Sequence, residues 1–381
     1  MNYNRHPNND GTVTARVTCA VVFSLFSFFW LFFFQNDSIT VAQHVLSNGH
    51  THYSRTVGAV LITLGLLVLQ YVVYCILRLK KFGHALTYFP SMLFLAVLSS
   101  FDFSSSPSTV LGFGGLLLLL LWGALIWALR SMGFLDYRVQ SGIFSRIIWV
   151  NCLIMSLLMI MVASTANTNA VFHYRAHAEN AMMAGDYDEA IRVGNRSLET
   201  DSSLMMVRMY ALSKRGQLGD RLFYYPLVAT SKAMLPTADG EVRMMYYPAD
   251  SLYRHLGAIP RRAMQPMEYL ETIIRNGQAK PAAADYLLCG YLIDKDLDGF
   301  VNALTKYYTV DESLPRHYRE ALVLYTHRRS KPVLVYHDSV LDVDYNDLQQ
   351  MEASCATETE RKGKVLENYA NSYWYYFEYA E

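Results

Sequence analysis

Long uncharged apolar segments in the first 165 residues constrain this chain more than any other feature. A helix needs about 20 apolar residues to cross the hydrocarbon core of a bilayer. Five segments reach or approach that length: residues 17–34, 57–77, 86–101, 109–129 and 147–163. The sequence therefore predicts a bundle of five transmembrane helices over residues 1–165. Four helices is the alternative, because the third and fifth segments are short.

The first apolar segment could instead be a cleaved signal peptide, since Arg5 and Arg16 give it a positive start. Its apolar run is longer than that of a typical signal peptide, however. Gln35, Asn36 and Asp37 follow it, where a cleavage site would have small residues. We interpret it as an uncleaved membrane anchor.

The distribution of basic residues predicts the orientation in the membrane. Only Arg55 lies in the short loops on one side of the predicted bundle. The eight basic residues assigned to the other side are Arg5, Arg16, Arg78, Lys80, Lys81, Arg130, Arg138 and Arg146. The N-terminus is therefore predicted to be cytoplasmic and the C-terminal domain extracytoplasmic. In a bacterium, this places the protein in the inner membrane with residues 166–381 in the periplasm.

The charge of the two halves restricts the possible partners. Residues 1–165 have nine Lys and Arg against four Asp and Glu, a net charge of +5, whereas residues 166–381 have 24 against 29, a net charge of −5. Nucleic-acid binding needs a basic surface to neutralise phosphates. The acidic half therefore predicts no nucleic-acid partner and no adhesion to anionic lipid; the bilayer itself is the predicted partner of the first half.

One repeat-like motif is readable in the second half. Residues 173–201, HYRAHAENAMMAGDYDEAIRVGNRSLETD, resemble a tetratricopeptide repeat, which is a pair of antiparallel helices joined by a tight turn. Ser202 departs from the family, which usually has Pro between repeats. The positions that carry the resemblance are the small Ala178 and Ala181 of the first helix, Gly185 at its end, and Tyr187, Ala190, Ile191 and Leu198 on the second helix.

Further helical pairs are predicted with less regular spacing. Residues 204–214 form a helical run before Gly216, and residues 282–308 and 314–327 suggest another pair and its partner. Between them, prolines at positions 226, 236, 248 and 260 punctuate the chain. Residues 166–381 are thus predicted to form an all-α, degenerate repeat domain, with an irregular helix bundle as the alternative. Such repeats commonly present a concave surface to a peptide or protein.

The first predicted outer loop contains the candidate chemistry of the membrane half. Asp37, His44, His50 and His52 could bind a divalent metal or act as acid and base at the membrane surface. The arrangement resembles, in architecture only, polytopic glycosyltransferases that use lipid-linked sugars and place a catalytic acid in their first outer loop. The alternative interpretation is a loop that caps helices and lies at the interface.

Other candidate sites are weaker. Asp294, Asp296 and Asp298 match the start of a calcium-binding loop, but Thr305 occupies the position of its bidentate Glu. The alternative interpretation of this segment is a turn between two repeat helices. The chain has no CxxC motif, and a Cys289–Cys355 disulfide stays open as a possibility in an oxidising compartment. The sequence predicts no cofactor.

Three segments suggest a family. AQHVLSNGHTHYSRTVGAVLITL, HALTYFPSML and LPRHYREALVLY resemble an uncharacterised family of Bacteroidetes polytopic membrane proteins. The resemblance implies a bacterial inner membrane and no particular activity.

Two functional hypotheses follow. The first is a membrane-anchored interaction or scaffold module that presents a tetratricopeptide-like domain to a periplasmic or envelope partner. The alternative is a membrane transferase acting on a lipid-linked envelope glycan, with the first outer loop as its active site. A transporter is third, because the predicted spans have no Asp, Glu, Lys or Arg away from their ends. Whether the protein is an enzyme is left open by the sequence.

Overall fold

Helices make up most of the part of the chain that the structure describes. The computed structural model describes residues 10–51, 53–79, 81–100, 109–131, 146–228 and 230–380. Helices are the only regular secondary structure in these ranges. The chain divides into two compact units, Met1–Phe172 and His173–Glu381. The sequence analysis placed this boundary after residue 165.

The first unit contains the predicted membrane spans. Its elements are α1 (Asp10–Phe29), a π-helix (Trp30–Phe34), α2 (Asn36–Leu46), α3 (Arg55–Leu77), a 3-10 helix (Lys81–Tyr88), α4 (Phe89–Ser99), α5 (Thr109–Ser131) and α6 (Arg146–Thr165). Five stretches within the described residues are long and apolar enough to cross a bilayer: Val13–Phe34, Arg55–Leu77, Phe82–Ser99, Gly114–Ser131 and Arg146–Thr165. The prediction of five candidate spans is therefore confirmed, and the unit has the composition of a polytopic membrane protein.

The third span, Phe82–Ser99, is the interior element of this unit. It is 61% buried, whereas the other four spans are between 6% and 28% buried. Helices α1, α3 and α6 pack around it. The outer spans expose large apolar side chains such as Leu120 and Ile160. A continuous surface of this kind suits lipid hydrocarbon rather than water.

Side chains from neighbouring spans fix the start of the third span. Asn151 on α6 accepts a hydrogen bond from the N–H of Ala85 at 2.8 Å, and Trp122 on α5 donates to the carbonyl oxygen of Leu86 at 3.0 Å. Polar contacts between membrane helices stabilise by roughly 1 kcal/mol or less each, but they are directional. The sequence predicted a helix from residue 86 and did not predict the 3-10 helix that begins at Lys81. The side chains that hold this 3-10 helix, Asn151 and Trp122, lie far away in the sequence.

The second unit is an assembly of short helices. They are α7 (Ala170–Met183), α8 (Tyr187–Arg192), α9 (Ser202–Lys214), α10 (Leu218–Arg221), α11 (Ala249–Leu256), α12 (Pro266–Arg275), α13 (Pro281–Ile293), α14 (Leu297–Tyr307), α15 (Arg316–Arg328), α16 (Leu341–Ala353), α17 (Glu358–Tyr369) and α18 (Tyr373–Tyr379). Helices α9, α13 and α15 are buried on nearly all sides and form its centre. Helix α13 is apolar but far too short to cross a bilayer. Cys289 and Cys355 are both buried as free thiols, so the possible disulfide is not formed.

One backbone turn recurs after α7, α9, α12 and α13. The second residue after each helix has a positive φ, and the N–H of the residue that follows it donates to a carbonyl oxygen five positions earlier, over 2.8–2.9 Å. This arrangement satisfies carbonyl groups that the helix end leaves free. The four residues with positive φ are Gly185 (+80°), Gly216 (+65°), Gly277 (+67°) and Lys295 (+58°).

The first helical pair departs from the prediction at its second helix. Ala178, Ala190 and Ile191 are buried in the same core, and Tyr187 packs against it. Leu198, however, is 83% exposed, so the prediction that it packs in the second helix was wrong. The physical reason is that α8 ends at Arg192, after which Gly194 turns the chain with φ +63°.

Replacing Gly185 by Ala should destabilise the second unit. The left-handed conformation of Gly185 costs an L-residue about 1 kcal/mol, although no atom blocks the added methyl group. We expect Gly185→Ala to lower the unfolding temperature, measured by intrinsic fluorescence of the full chain in detergent.

The matched control is Gly363→Ala within α17, where the glycine is helical and its surroundings are equally open. Alanine is the better helix former by up to about 1 kcal/mol, so this variant should keep or raise the unfolding temperature. Equal destabilisation by both substitutions would contradict the assignment of the turn.

Candidate functional site

The segment between the first and second spans does not bring Asp37, His44 and His50 together at one point. Asp37 lies in the first turn of α2 and His44 in the last, so their backbones are about 10 Å apart along the helix axis. His50 is exposed in the turn beyond the helix, and His52 lies outside the described residues. In the described part of the chain, no three His, Cys, Asp or Glu side chains are arranged to hold a metal ion.

The segment that precedes Asp37 is nevertheless held firmly. It is the π-helix Trp30–Phe34, and the indole N–H of Trp30 donates to Oγ of Ser99 at 2.8 Å. Arg55 donates from Nε to the carbonyl oxygen of Phe32 at 2.8 Å, with its guanidinium 4.1 Å from the centre of that ring. These contacts fasten the end of the first span to the end of α4 and to the start of α3.

The three aspartates of the calcium-like motif serve three different structural contacts. Asp294 accepts a hydrogen bond from the N–H of Ser231 at 2.8 Å. Asp296 caps the N-terminus of α14, and Asp298 forms an ion pair with Arg329. Their carboxylates therefore hold the turn between α13 and α14 and its neighbours.

A buried carboxylate with three hydrogen-bond donors lies on α15. The Glu320 carboxylate is fully buried and accepts hydrogen bonds from Nδ1 of His317 at 2.9 Å, the N–H of Tyr373 at 2.7 Å and Nε of Arg316 at 2.8 Å. Three donors, two of them from side chains on its own helix, compensate the loss of water around the carboxylate. We call these three side chains, Arg316, His317 and Glu320, the α15 charge centre.

Hydrogen bonds keep Glu320 ionised despite its burial. Burial alone would raise the pKa of the Glu320 carboxyl. The hydrogen bond from His317, the N–H of Tyr373 and the charge of Arg316 outweigh burial and hold that pKa below its ordinary value. The carboxylate is therefore a fixed anion at neutral pH.

The α15 charge centre anchors the last helix of the chain. Trp374 donates from Nε1 to the carbonyl oxygen of Glu320 at 2.8 Å. Tyr373 and Tyr376 donate their hydroxyls to the carbonyl oxygens of Leu292 and Ile293 at 3.2 and 2.8 Å. Since these two carbonyls lie at the end of α13, α18 caps one helix while it packs on another.

A second buried carboxylate plays a comparable part at the other end of the unit. Glu179 on α7 accepts hydrogen bonds from the main-chain N–H groups of Met245, Tyr246 and Tyr247, each at 2.8–2.9 Å. Burial raises the pKa of the Glu179 carboxyl, and these N–H groups offset part of the rise. Glu179 thus holds an irregular loop against α7.

Asp285 on α13 is the third carboxylate that is enclosed. It accepts hydrogen bonds from the hydroxyls of Tyr308 at 2.6 Å and Tyr318 at 3.0 Å. Burial raises the pKa of the Asp285 carboxyl, and the two phenols lower it in part. Its partners join α13 to α15 and to the end of α14.

An open groove lies on the surface of the second unit. It has a volume of about 330 Å³ and lies between residues 235–238 and 260–264, with Tyr253 and Tyr269 on its floor. Arg261 and Arg262 stand on one wall, and Pro236 and Pro260 lie on opposite walls. We call this feature the 235–264 groove.

Hydrogen bonds from two tyrosine side chains hold the loops that form the walls of the 235–264 groove. Tyr253 donates its hydroxyl to the carbonyl oxygen of Pro236 at 3.3 Å, and Tyr269 donates to that of Ala258 at 2.8 Å. Gly257 begins the second loop at a close approach, since a methyl group there would lie 2.4 Å from the carbonyl oxygen of Gln278. The groove is therefore formed before any ligand arrives.

Neither of these two features was predicted as a site from the sequence. The α15 charge centre does carry a signal, because LPRHYREALVLY places a His and a Glu three residues apart among apolar residues. The sequence gives almost no signal for the groove apart from its prolines, because the walls of the groove come from two loops that only the fold brings together.

The comparisons with known proteins bear on the C-terminal part of the chain. The model of a family of unknown function (DUF6057) matches residues 261–380, which are 120 of the 381 residues. The matched part contains α12 to α18, the α15 charge centre and Arg261 and Arg262 of the groove. No curated protein matches the chain, and no solved structure matches it.

Replacing Glu320 by Gln should destabilise the protein at neutral pH. The amide is a weaker acceptor and also brings two N–H donors against His317 and Arg316, so we expect a loss of about 2 kcal/mol at pH 7. Trp374, which contacts Glu320, provides a fluorescence signal for unfolding.

The difference between wild type and Glu320→Gln should shrink in acid. Because the folded pKa of Glu320 lies below its unfolded value, its contribution is complete above about pH 4.3 and disappears as the pH falls through the folded pKa. Glu367→Gln is the control, since Glu367 is exposed on α17. A difference that stays constant down to pH 3 would contradict an ionised Glu320.

Proposed function

We propose that this protein is a membrane-anchored interaction protein, in which the first unit holds the chain in a bilayer and the second binds a protein partner. The 235–264 groove is the observation that carries the proposal. Tyrosine and arginine are enriched where proteins bind one another, because Tyr supplies contact area at low cost in entropy and Arg supplies several hydrogen-bond donors. A preformed groove reduces that cost further.

The buried carboxylates favour binding over catalysis. Glu320, Glu179 and Asp285 each accept hydrogen bonds that join separate segments of the second unit. A catalytic acid or base must reach a substrate proton. These three groups are occupied in holding the fold, which supports an interaction module as the function of the unit.

We further infer that the second unit is a degenerate tetratricopeptide-like domain. The recurring turn after α7, α9, α12 and α13 supports this inference, as does the packing of α13 against α14. The short α8 departs from the repeat pattern. Exposed inner surfaces of such helical repeats commonly bind peptides.

The proposed location is the inner membrane of a bacterium of the Bacteroidetes type, with the second unit in the periplasm. The support is the bias of Lys and Arg toward one set of loops and the resemblance of three sequence segments. The partner would then be a periplasmic or envelope protein.

Labelling of single cysteines in intact cells tests the orientation. Leu198 is strongly exposed in the second unit, so Leu198→Cys should react with a membrane-impermeant maleimide if the unit is periplasmic. The labelling should be done in a chain lacking the exposed native Cys75. Reaction only after the inner membrane is opened would place the unit in the cytoplasm.

Crosslinking before lysis tests the interaction. Tagged full-length protein should capture a stoichiometric partner that is lost when the chain is ended after Phe172, the last residue of the first unit. Both forms must be present in the membrane at equal amounts. If capture does not depend on residues 173–381, the second unit is not the binding module.

A further inference from the structure

We propose that the 235–264 groove binds an extended polypeptide segment rich in Asp and Glu. This inference rests on the proposed function, because it assigns a chemical class to the partner of the second unit. Three features of the groove support it: its charge, its free main-chain groups and its aromatic floor.

The groove is a basic feature on an acidic unit. Residues 173–381 have 24 Lys and Arg against 29 Asp and Glu, a net charge of −5. Arg261 and Arg262 are both exposed at the groove, and Arg261 forms no ion pair with any described residue. Arg262 pairs with Glu268 at 3.4 Å, but both side chains are more than half exposed. Such a pair contributes little and yields readily to another carboxylate.

The arginine-bearing wall offers its main chain as well. Residues 261–264 make no main-chain hydrogen bond to any residue that the structure describes. Their N–H and C=O groups are therefore free to pair with the main chain of an extended segment, as in strand addition. A bound polypeptide uses donors and acceptors together, whereas a phosphate group uses donors alone.

The floor supplies apolar contact. Tyr253 and Tyr269 lie with ring centroids 5.4 Å apart at an interplanar angle of 78°, and both hydroxyls are engaged below the groove. Tyr253, Pro236 and Pro260 are partly exposed and present apolar surface between the two loops, whereas Tyr269 is buried and supports Tyr253. Apolar side chains that alternate with acidic ones would contact this floor while the carboxylates reach Arg261 and Arg262.

Nucleic acid fits the groove less well than a polypeptide. Its phosphates need an extended basic surface, and the unit has an overall negative charge. The free carbonyl groups of residues 261–264 would face phosphate oxygens without a donor between them. The chemistry therefore favours a carboxylate-bearing chain.

Fluorescence anisotropy with the full-length protein in phosphatidylcholine nanodiscs tests the proposal. The probes are fluorescein-labelled peptides of alternating Glu and Val or of alternating Lys and Val. The Glu-Val peptide should bind at least about tenfold more tightly, and its affinity should fall as salt is added. Absence of Glu-Val binding, or equal binding of the two peptides, would overturn the proposal.

Charge reversal locates the site. Arg261→Glu with Arg262→Glu should weaken Glu-Val binding by about tenfold or more, and Arg261→Gln with Arg262→Gln should weaken it less. The matched control is Arg196→Glu with Arg275→Glu, because both arginines are exposed and neither lines the groove. Unfolding temperatures of all variants must match wild type. Equal loss in the control pair would refute the assignment to this groove.

The proposed function and the assignment of the binding site to the 235–264 groove can be tested separately. If the charge-reversed protein still captures its crosslinked partner through residues 173–381, the interaction module stands and the groove is not its contact. If capture never depends on those residues, the proposed function itself fails.

Discussion

Helix ends leave main-chain groups without partners, and both units of this protein depend on side chains that supply them. In the first unit, Asn151 satisfies the N–H of Ala85 where the third span begins. In the second, Tyr373 and Tyr376 satisfy carbonyl oxygens at the end of α13. Because unpaired main-chain groups are costly in lipid and in a protein core alike, the same solution serves both environments.

The same constraint explains why the buried charges are structural. A carboxylate among apolar side chains persists only if donors surround it, and the donors around Glu320 and Glu179 are main-chain N–H groups or neighbouring side chains. Each carboxylate thereby joins segments that are far apart in the sequence. Both carboxylates are engaged in holding other segments in place: Glu320 holds α18, and Glu179 holds the loop after residue 241. The binding that we propose takes place at the surface instead, in the 235–264 groove.

Some features follow directly from composition and others do not. The membrane spans were predictable, because a long uncharged apolar run has few alternatives to crossing a bilayer. The turn at Gly185 was predictable, because glycine readily adopts positive φ. A turn near Lys295 was predicted only as the alternative to a calcium-binding loop, and its positive φ was not predicted, since Lys rarely adopts that conformation. Leu198 was placed wrongly, because its apolar side chain at helical spacing gave no sign that α8 ends at Arg192 and that Gly194 then turns the chain.

The sequence by itself determined the helical class, the five candidate spans and the division into an apolar and a polar half. These depend on local composition and on periods that span a few residues. Only the tertiary structure decided that the third span is interior, that Glu320 meets Tyr373 across 53 positions, and that two loops form a groove. The physical reason is that each of these depends on contacts between distant segments, which a local pattern does not encode.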